Sequence, residues 1–337
     1  MKARAAIIAL ALALPCVPAA AAGAEEKAPQ QRISVTYIRP TDELYYTCGF
    51  DGARMMAEKL DIDLQGALSQ MKADEELSLV RAAISRGADG IILFPVSAVS
   101  LAASLDAAAE AKVPVMTLYG YSAELKARSG GSVQTDIRQA CTALGTWVAQ
   151  NVTEGQVTCI MGLAGHGDAE SYRDAFQREV EKNVKLKVVA SAPGDWDRAK
   201  AKGQMQNLIA SFPGMKVVFA ENDDMALGAL QALQDANKAA AVSVVSLDGA
   251  PYGLDSVTAG GIRATVSWSP SEEAQIALRL LATQVRGGGV PAKLTLSPFA
   301  LVTKDTVSTA VPWQPTPAST AAVLKLNLWT LPHAFAQ

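Results

Sequence analysis

Histidine and cysteine are scarce in this sequence, and their scarcity limits the chemistry that the protein can carry. The chain has two histidines and four cysteines in 337 residues. His166 lies between glycines, and neither it nor His333 has cysteine or acidic residues at the spacing of metal ligands. The sequence also lacks a Gly-x-Ser-x-Gly motif, a P-loop and a complete dinucleotide fingerprint. We therefore expect the protein to be no enzyme and to carry no metal or other cofactor.

An excess of positive charge and a long apolar run are missing too. The net charge is −3, so the chain is not built to bind nucleic acid through its phosphates. The apolar run at residues 5–14 is too short to span a bilayer. It follows Lys2 and Arg4 and precedes small residues, which is the pattern of a secretory signal peptide. We expect residues 1–22 to be that signal peptide and the mature protein to be soluble in the periplasm.

Three cysteines remain after the predicted signal peptide. In an oxidising compartment two of them can form a disulfide. Cys159 lies inside an apolar strand and is predicted to be a buried thiol, so Cys48 and Cys141 form the candidate pair. Cys16 could instead mark a lipid-anchored start, but Pro15 directly before it fits that pattern poorly.

Half of the residues are hydrophobic and only 6% are aromatic, which suits helices layered on sheets. The length suggests two domains. From Arg32 onward, short apolar strands alternate with amphipathic helices, and the alternation restarts after Asp136. The sequence therefore predicts an α/β fold with two doubly wound parallel-sheet lobes in tandem. The predicted strands are 33–38, 62–68, 90–95, 113–118, 156–163, 187–192, 217–220, 242–247 and 262–268.

The strand at 217–220 runs straight into a helix whose apolar residues recur at helical spacing. Asn222 and Asp223 stand at the carboxyl end of that strand. Ligands of open α/β sheets bind at this edge. Asp223 has a second interpretation as the cap of the helix, whereas we expect Asn222 to point elsewhere and to contact the ligand.

Past Val302 the alternation weakens. Three prolines, at positions 312, 315 and 317, interrupt any helix there. The run at 321–331 is apolar enough to pack against the rest of the protein. The sequence pattern does not indicate where it packs.

Seven short stretches between about residues 33 and 302 follow one another in an order shared with a known family. They are 87–92 with Pro95, 113–115, 162–165, 195–198, 222–229, 247–249 and 264–266. As a set they resemble the sugar-binding periplasmic proteins of the ribose- and galactose-binding type, which serve ATP-driven importers. The resemblance implies a type I periplasmic binding protein, with two lobes joined by three crossovers that close on a ligand. The expected lobes are 32–135 with about 269–297, and 136–268 with about 298–325.

The function implied by the resemblance is to bind a ligand without catalysing any reaction. Such a protein would bind a small neutral sugar-like, polyol or cyclic alcohol ligand between its lobes and deliver it to the permease of an ABC importer in the inner membrane. We expect a monomer. The alternative is a sensor subunit that presents its closed form to a membrane receptor or sensor kinase. Related gene repressors begin with a DNA-binding helix-turn-helix, and here a signal peptide stands in that place.

The resemblance also assigns ligand-binding residues by position. Asn222 matches the family's ligand-binding asparagine, and Asp248 matches its carboxylate that accepts sugar hydroxyls. Trp196 stands where the family has an aromatic ring stacked on the sugar. Tyr45 and Tyr46 stand where an aromatic pair follows the first strand, on the opposite wall of the cleft.

Other positions depart from the family pattern. An Asp-Arg pair after the fourth strand is replaced by Tyr119 and Gly120, and an arginine of the second lobe by Glu170. Trp268 replaces a glutamine. With these changes we expect Glu43, Glu170 and aromatic rings to line the cleft. Such a cleft favours a ligand with fewer hydroxyls than a free pentose, or with an apolar face, because each unmatched buried hydroxyl costs about 1–3 kcal/mol.

Two alternatives remain open for these residues. Asp248 could serve only to cap the turn at 249–251. Arg39 or Arg173 could swing in and rebuild an ordinary sugar site.

Overall fold

The computed structural model describes residues 32–163, 168–290 and 294–331. The predicted signal peptide, His166 and His333 lie outside the described residues. The strands, β1 to β12, are Ile33–Arg39, Ile62–Leu68, Gly90–Leu93, Val115–Leu118, Gly131–Thr135, Gly155–Met161, Leu186–Pro193, Met215–Ala220, Ser243–Asp248, Ile262–Ser267, Leu294–Ser297 and Ala300–Thr303. The helices, α1 to α11, are Leu44–Leu60, Ala73–Ser85, Ala98–Glu110, Ala123–Arg128, Ile137–Asn151, Asp168–Val180, Arg198–Ser211, Asp223–Asp235, Pro251–Ala259, Pro270–Val285 and Pro317–Lys325.

The strands form two six-stranded sheets, one in each lobe. The order is β11-β5-β4-β3-β1-β2 in the first lobe and β12-β10-β9-β8-β6-β7 in the second. All neighbours in these sheets are parallel except β10 and β12, which run antiparallel. The predicted fold of two doubly wound α/β lobes is confirmed, with one antiparallel edge strand added.

Central strands such as β3 and β8 are short apolar runs with nearly every residue buried, because helices cover both faces of each sheet. The sequence analysis did not identify β5, which contains Gly131, Ser132 and Gln134. Its polar composition gives no strand signal. The strand forms because β4 and β11 pair with it on both sides, so its backbone hydrogen bonds are met by neighbours distant in sequence.

The chain passes between the lobes three times within the predicted core. The first crossing joins β5 to α5, the second joins β10 to α10, and the third joins β11 to β12. Thr135, Ser267 and Ser297 end the three strands that enter these crossings. This arrangement is the three-crossover connection implied by the family resemblance.

The C-terminal tail contacts both lobes, whereas the predicted lobe boundaries place residues 298–325 entirely in the second lobe. After β12, a short 3-10 turn at Val307–Thr309 contacts α9 and β12 in the second lobe. Helix α11 then packs against α1 and α10 of the first lobe, where Val323 is buried in the core. The guanidinium of Arg279 on α10 donates hydrogen bonds to the carbonyls of Val323 (2.5 Å) and Leu326 (3.1 Å). The assignment of the whole stretch 298–325 to the second lobe is therefore wrong for α11.

The predicted Cys48–Cys141 disulfide is also wrong. Cys48, Cys141 and Cys159 are all buried free thiols. Cys48 lies on α1, whereas Cys141 lies on α5 in a different core cluster, together with Cys159. Counting cysteines in an oxidising compartment says which pairings are possible, but only the packing of the helices decides which sulfurs can meet.

Candidate ligand-binding site

Residues that follow the strands of one lobe contact residues that follow the strands of the other. The hydroxyl of Tyr45, in the first turn of α1, accepts a hydrogen bond from the indole nitrogen of Trp268, just after β10 (3.2 Å). Cys48, further along α1, packs against Ala250, just after β9. The carboxyl ends of strands from both sheets therefore meet here, at the edge where open α/β sheets bind ligands.

Asn222, and not Asp223, caps the helix that follows β8. Asn222 caps α8, because its side-chain oxygen accepts a hydrogen bond from the backbone N–H of Met225 (2.8 Å). Asp223 is fully buried and accepts hydrogen bonds from the Ser246 hydroxyl (2.5 Å) and the backbone N–H of Ala250 (2.7 Å). Burial raises the pKa of Asp223 to about 7. The amide nitrogen of Asn222 makes no hydrogen bond within the described residues, so it is the group that can still meet a ligand.

Asp248 ends β9 in a strained backbone conformation, with φ at 100°. Its carbonyl accepts hydrogen bonds from the indole N–H of Trp313 (2.9 Å) and the backbone N–H of Trp268 (3.3 Å). Its carboxylate is half-buried and has no hydrogen-bond partner among the described residues. Burial raises the pKa of Asp248 well above its usual value, and the charges of Asp223 and Glu273 add to the effect. The turn after Asp248 is held by Asp223, so the alternative in which Asp248 caps that turn is wrong.

Tyr46 lies in the first turn of α1, on the first lobe. Burial raises the pKa of the Tyr46 hydroxyl, and the charges of Glu43 and Asp248 add to the increase. Its ring packs edge-on against Phe94, with 4.9 Å between the centroids. The hydroxyl has no hydrogen-bond partner within the described part of the chain. Among the described residues, Tyr46 thus offers an unpaired donor on the first lobe, and Asp248 an unpaired acceptor on the second.

Phe94 is a member of this aromatic wall that the sequence analysis left unassigned. It follows β3 directly and is half-buried. Besides Tyr46, it contacts the ring of Tyr119, at 5.5 Å between centroids. The signal that could have identified it is its position, an aromatic residue at the carboxyl end of a buried strand and next to Pro95.

Glu273, which the sequence analysis did not single out, organises the wall behind these rings. It lies in the first turn of α10 and is 1% exposed. Its carboxylate accepts hydrogen bonds from four hydroxyls: Tyr119 (2.8 Å), Thr135 (2.9 Å), Ser297 (3.0 Å) and Tyr45 (3.1 Å). Burial raises the pKa of Glu273 to about 7, against the lowering effect of these donors. In the sequence Glu273 looks like any acidic residue in a first helical turn, so nothing local distinguishes it from Glu272.

This network changes the roles expected for three predicted ligand residues. The hydroxyls of Tyr45 and Tyr119 point to Glu273, so they are not free to bind a ligand hydroxyl. Trp268 is 2% exposed, and its indole N–H is used by Tyr45. The structure therefore does not bring Trp268 to the cleft surface. Because Thr135 and Ser297 end strands at the first and third crossings, the network connects all three crossings between the lobes.

Trp196 is held as a rigid platform on the second lobe. Asp195 and Trp196 both have positive φ, at 53° and 65°. The indole lies directly over Gly162, where an added Cβ would be 1.9 Å from a ring carbon. Only glycine fits beneath the ring, and the ring itself is half-buried. This position at the ends of β6 and β7 suits the predicted stacking role of Trp196.

Glu170 belongs to a charged cluster of the second lobe. Glu221, at the end of β8, accepts a hydrogen bond from the backbone N–H of Gly162 (2.8 Å). Burial raises the pKa of Glu221 to about 8, the charge of Glu170 raises it further and Arg173 opposes the increase. Arg173 is paired with Asp174 (2.5 Å). Glu170 thus contributes to the charge balance around Glu221.

Glu43 is exposed at the start of α1, where it makes no capping hydrogen bond. Arg39 is 9% exposed, pairs with Asp42 (2.7 Å) and lies over the ring of Phe50 (4.5 Å). Arg39 and Arg173, the two residues that could replace the family's missing arginine, therefore each have a carboxylate partner already.

Within the described residues, no group of three histidine, cysteine or acidic side chains is placed to hold a metal ion. No helix among those described has the length and apolar character needed to cross a membrane.

A family model described as a periplasmic binding protein domain matches residues 18–289. This chain belongs to that family. Among its relatives, the ribose import binding protein of Salmonella typhimurium is 34% identical over 247 residues, covering 72% of this chain and 81% of that protein. The xylitol-binding protein of Mycolicibacterium smegmatis is 27% identical over 282 residues, covering 83% and 79%.

A solved structure agrees with the family assignment. An ABC transporter solute-binding protein from Mycobacterium smegmatis with bound glycerol is 27% identical, with a TM-score of 0.75, and covers 83% of this chain and 96% of that one. The ribose relative is named for import, the xylitol relative for binding, and the solved protein for an ABC transporter. The family match ends at residue 289, so β11, β12 and the C-terminal tail lie beyond it.

Proposed function

We propose that this periplasmic binding protein captures a small neutral polyhydroxy compound between its lobes and delivers it to an ABC importer from the periplasm. Its relatives are named for the import or binding of ribose, allose and xylitol, and one solved protein of the same fold holds myo-inositol. These compounds share neutral charge and several hydroxyls. The signal-peptide pattern at residues 1–22 supports the periplasmic location.

The observation that carries the proposal is the carboxylate of Asp248, which no described residue pairs. A carboxylate accepts hydrogen bonds from two neighbouring hydroxyls, and such bonds are stronger than neutral ones. The hydroxyl of Tyr46 and the amide nitrogen of Asn222 have no partner in the described ranges, so they can donate to further ligand oxygens. Trp196 provides a face for the apolar side of a ring. These four residues are the proposed ligand contacts.

The charges around the cleft argue against an anionic ligand. Asp248 and Glu43 both act on Tyr46 as negative charges. Arg39 and Arg173 are already paired with carboxylates. With few donors available, the site favours a ligand that combines a hydroxylated edge with one apolar face.

A ligand screen tests the proposal. Thermal shift and tryptophan fluorescence are measured with pentoses, hexoses, polyols, cyclic alcohols and dicarboxylates. We expect a neutral polyol or cyclic alcohol to bind, and Asp248→Asn to weaken its binding by about 10- to 100-fold, because a hydrogen bond to a charged group is worth about 1.5–3 kcal/mol. The matched control Asp255→Asn changes an exposed acid on α9 and leaves binding intact. Selective binding of a dicarboxylate, or equal effects of the two substitutions, would refute the proposed site.

Closure of the lobes is tested by small-angle scattering with and without the ligand found in the screen. We expect a smaller radius of gyration when the ligand is bound, with the lobes moving about the crossings near Thr135 and Trp268. An unchanged radius at saturation argues against capture by closure.

A further inference from the structure

The C-terminal tail connects the two lobes a fourth time. It leaves β12 in the second lobe through the 3-10 turn at Val307–Thr309 and ends on the first lobe as α11. The segment between these elements runs beside the second crossing. Val311 exchanges two hydrogen bonds with the hydroxyl of Ser267, through its N–H (2.9 Å) and its carbonyl (3.0 Å). The hydroxyl of Ser269 donates to the carbonyl of Pro312 (2.7 Å).

Trp313 is the residue by which this segment reaches the ligand site. It is 3% exposed. Its indole N–H donates to the carbonyl of Asp248 on the second lobe (2.9 Å). Its ring packs edge-on against Tyr45 on the first lobe, with 5.2 Å between centroids, and lies in one buried cluster with Cys48 and Ala250. A single side chain from the tail therefore contacts both lobes at the edge of the site.

The contact with Asp248 falls on a strained residue. A non-glycine residue at φ 100° keeps that conformation only when its surroundings fix it. Two N–H groups hold the Asp248 carbonyl, from Trp268 and Trp313. Of these two donors, Trp313 is the one that comes from outside the three crossings, so it adds a constraint that the core of the fold does not supply.

We propose that Trp313 is a positioning residue for the ligand site, which fixes the Asp248 backbone and the Tyr45 ring and so adds a non-covalent contact between the lobes where the tail passes from one to the other. The inference rests on the proposed function for the role of Asp248 as ligand acceptor. The connection itself does not depend on the ligand. A side-chain contact, unlike the three peptide crossings, can also break when the lobes part.

Trp313→Phe in the full chain isolates the proposed contact, because it keeps most of the ring and removes the indole N–H. Trp329→Phe is the matched control, since Trp329 lies on the same tail but is 63% exposed. The lobe connection is measured without ligand, as the rate at which iodoacetamide labels Cys48. Cys141 and Cys159 are buried within the second lobe and report unfolding of that lobe. We expect Trp313→Phe to speed labelling of Cys48 about fivefold to tenfold, as loss of one hydrogen bond would, with Cys141 and Cys159 unchanged.

The positioning role is measured as the Kd of ribose, xylitol and myo-inositol. We expect Trp313→Phe to raise the Kd of whichever probe binds by about fivefold to tenfold, and Trp329→Phe to leave it unchanged. An unchanged Kd, an unchanged Cys48 rate, or equal acceleration at all three cysteines would overturn the proposal. If none of the probes binds the wild-type protein, the proposed ligand class fails for these compounds, and the Cys48 rates alone decide whether Trp313 connects the lobes.

Discussion

Glu273 and Asp248 are two acids near the place where the lobes meet, the first buried and the second half-buried, and their hydrogen bonding differs completely. Glu273 accepts four hydroxyl hydrogen bonds from the elements around it. The carboxylate of Asp248 accepts none from the described residues, although burial raises the pKa of both acids. An acceptor that is partly withdrawn from water and left without donors has hydrogen-bonding capacity to spare for a ligand. We infer that unmet hydrogen-bonding capacity, and not burial alone, separates Asp248, the proposed ligand residue, from the structural Glu273.

Replacing Glu273, the acid with four hydroxyl donors, should have the largest effect on stability. Glu273→Leu leaves four buried hydroxyls without their acceptor, and we expect it to lower the free energy of unfolding by about 3–5 kcal/mol. Urea unfolding at pH 7 measures this change. The matched control is Glu272→Leu, at the half-exposed neighbouring position, which should cost less than about 1 kcal/mol.

If Glu273→Leu does not fold, Glu273→Gln provides the same comparison with a smaller loss, because an amide still accepts from some of the hydroxyls. Equal effects at positions 272 and 273 would remove the distinction between the two acids.

The pH dependence of stability provides a second test of the role of Glu273. Burial raises the pKa of Glu273 from 4.5 to about 7, so its favourable contribution is complete below pH 4.5 and is lost as the pH rises through 7. The rise in the pKa of Glu273 corresponds to about 3 kcal/mol in the free energy of unfolding. We expect the wild type to lose more stability than Glu273→Gln between pH 5 and pH 8, by thermal or urea unfolding. Asp223 and Glu221 titrate in the same range in both proteins, so parallel curves would contradict the assignment to Glu273.

Two aromatic rings of the site are also held in different ways. Tyr45 is held by a hydrogen bond to Glu273, and Trp196 packs directly on Gly162. Gly162→Ala places a methyl group within the indole of Trp196, and we expect a loss of about 1–3 kcal/mol in stability together with a shifted tryptophan emission. Gly203→Ala is the control, because nothing lies within 4 Å of its added Cβ. Replacing a helical glycine with alanine raises the free energy of unfolding by up to about 1 kcal/mol. Weaker binding in Gly162→Ala alone would support the stacking role of Trp196.

The smallest expected effect concerns Asp248 in the absence of ligand. Asp248→Asn removes a half-buried carboxyl group that no described residue pairs, and asparagine, like aspartate, tolerates positive φ, so we expect stability at pH 8 to rise by about 1 kcal/mol. Asp223→Asn, at an acid with all its donors in place, should lower stability instead. Thermal unfolding without ligand compares the two. A loss of stability in both variants would mean that Asp248 is a structural acid like Asp223.

The alternation of strands and helices could be predicted from the sequence, and with it the positions of Asn222, Trp196 and Asp248 at strand ends. These features depend on local periodicity and on residues close in the chain. The choice between Asn222 and Asp223 as helix cap could not be predicted in this way. Asp223 is drawn into the core by Ser246 and Thr265, which lie on other strands.

The sequence by itself determined the two-lobe α/β fold, its family and the strand-end residues, because these depend on short-range pattern and motif order. The tertiary structure alone decided which side chains meet: the four donors of Glu273, the burial of Trp268, the separate positions of Cys48 and Cys141, and the contact of Trp313 with Asp248. These partners lie up to more than 200 residues apart in the chain, as Tyr45 and Glu273 do. Only the folded chain brings such residues within hydrogen-bonding distance, since no local pattern records the identity of a remote partner.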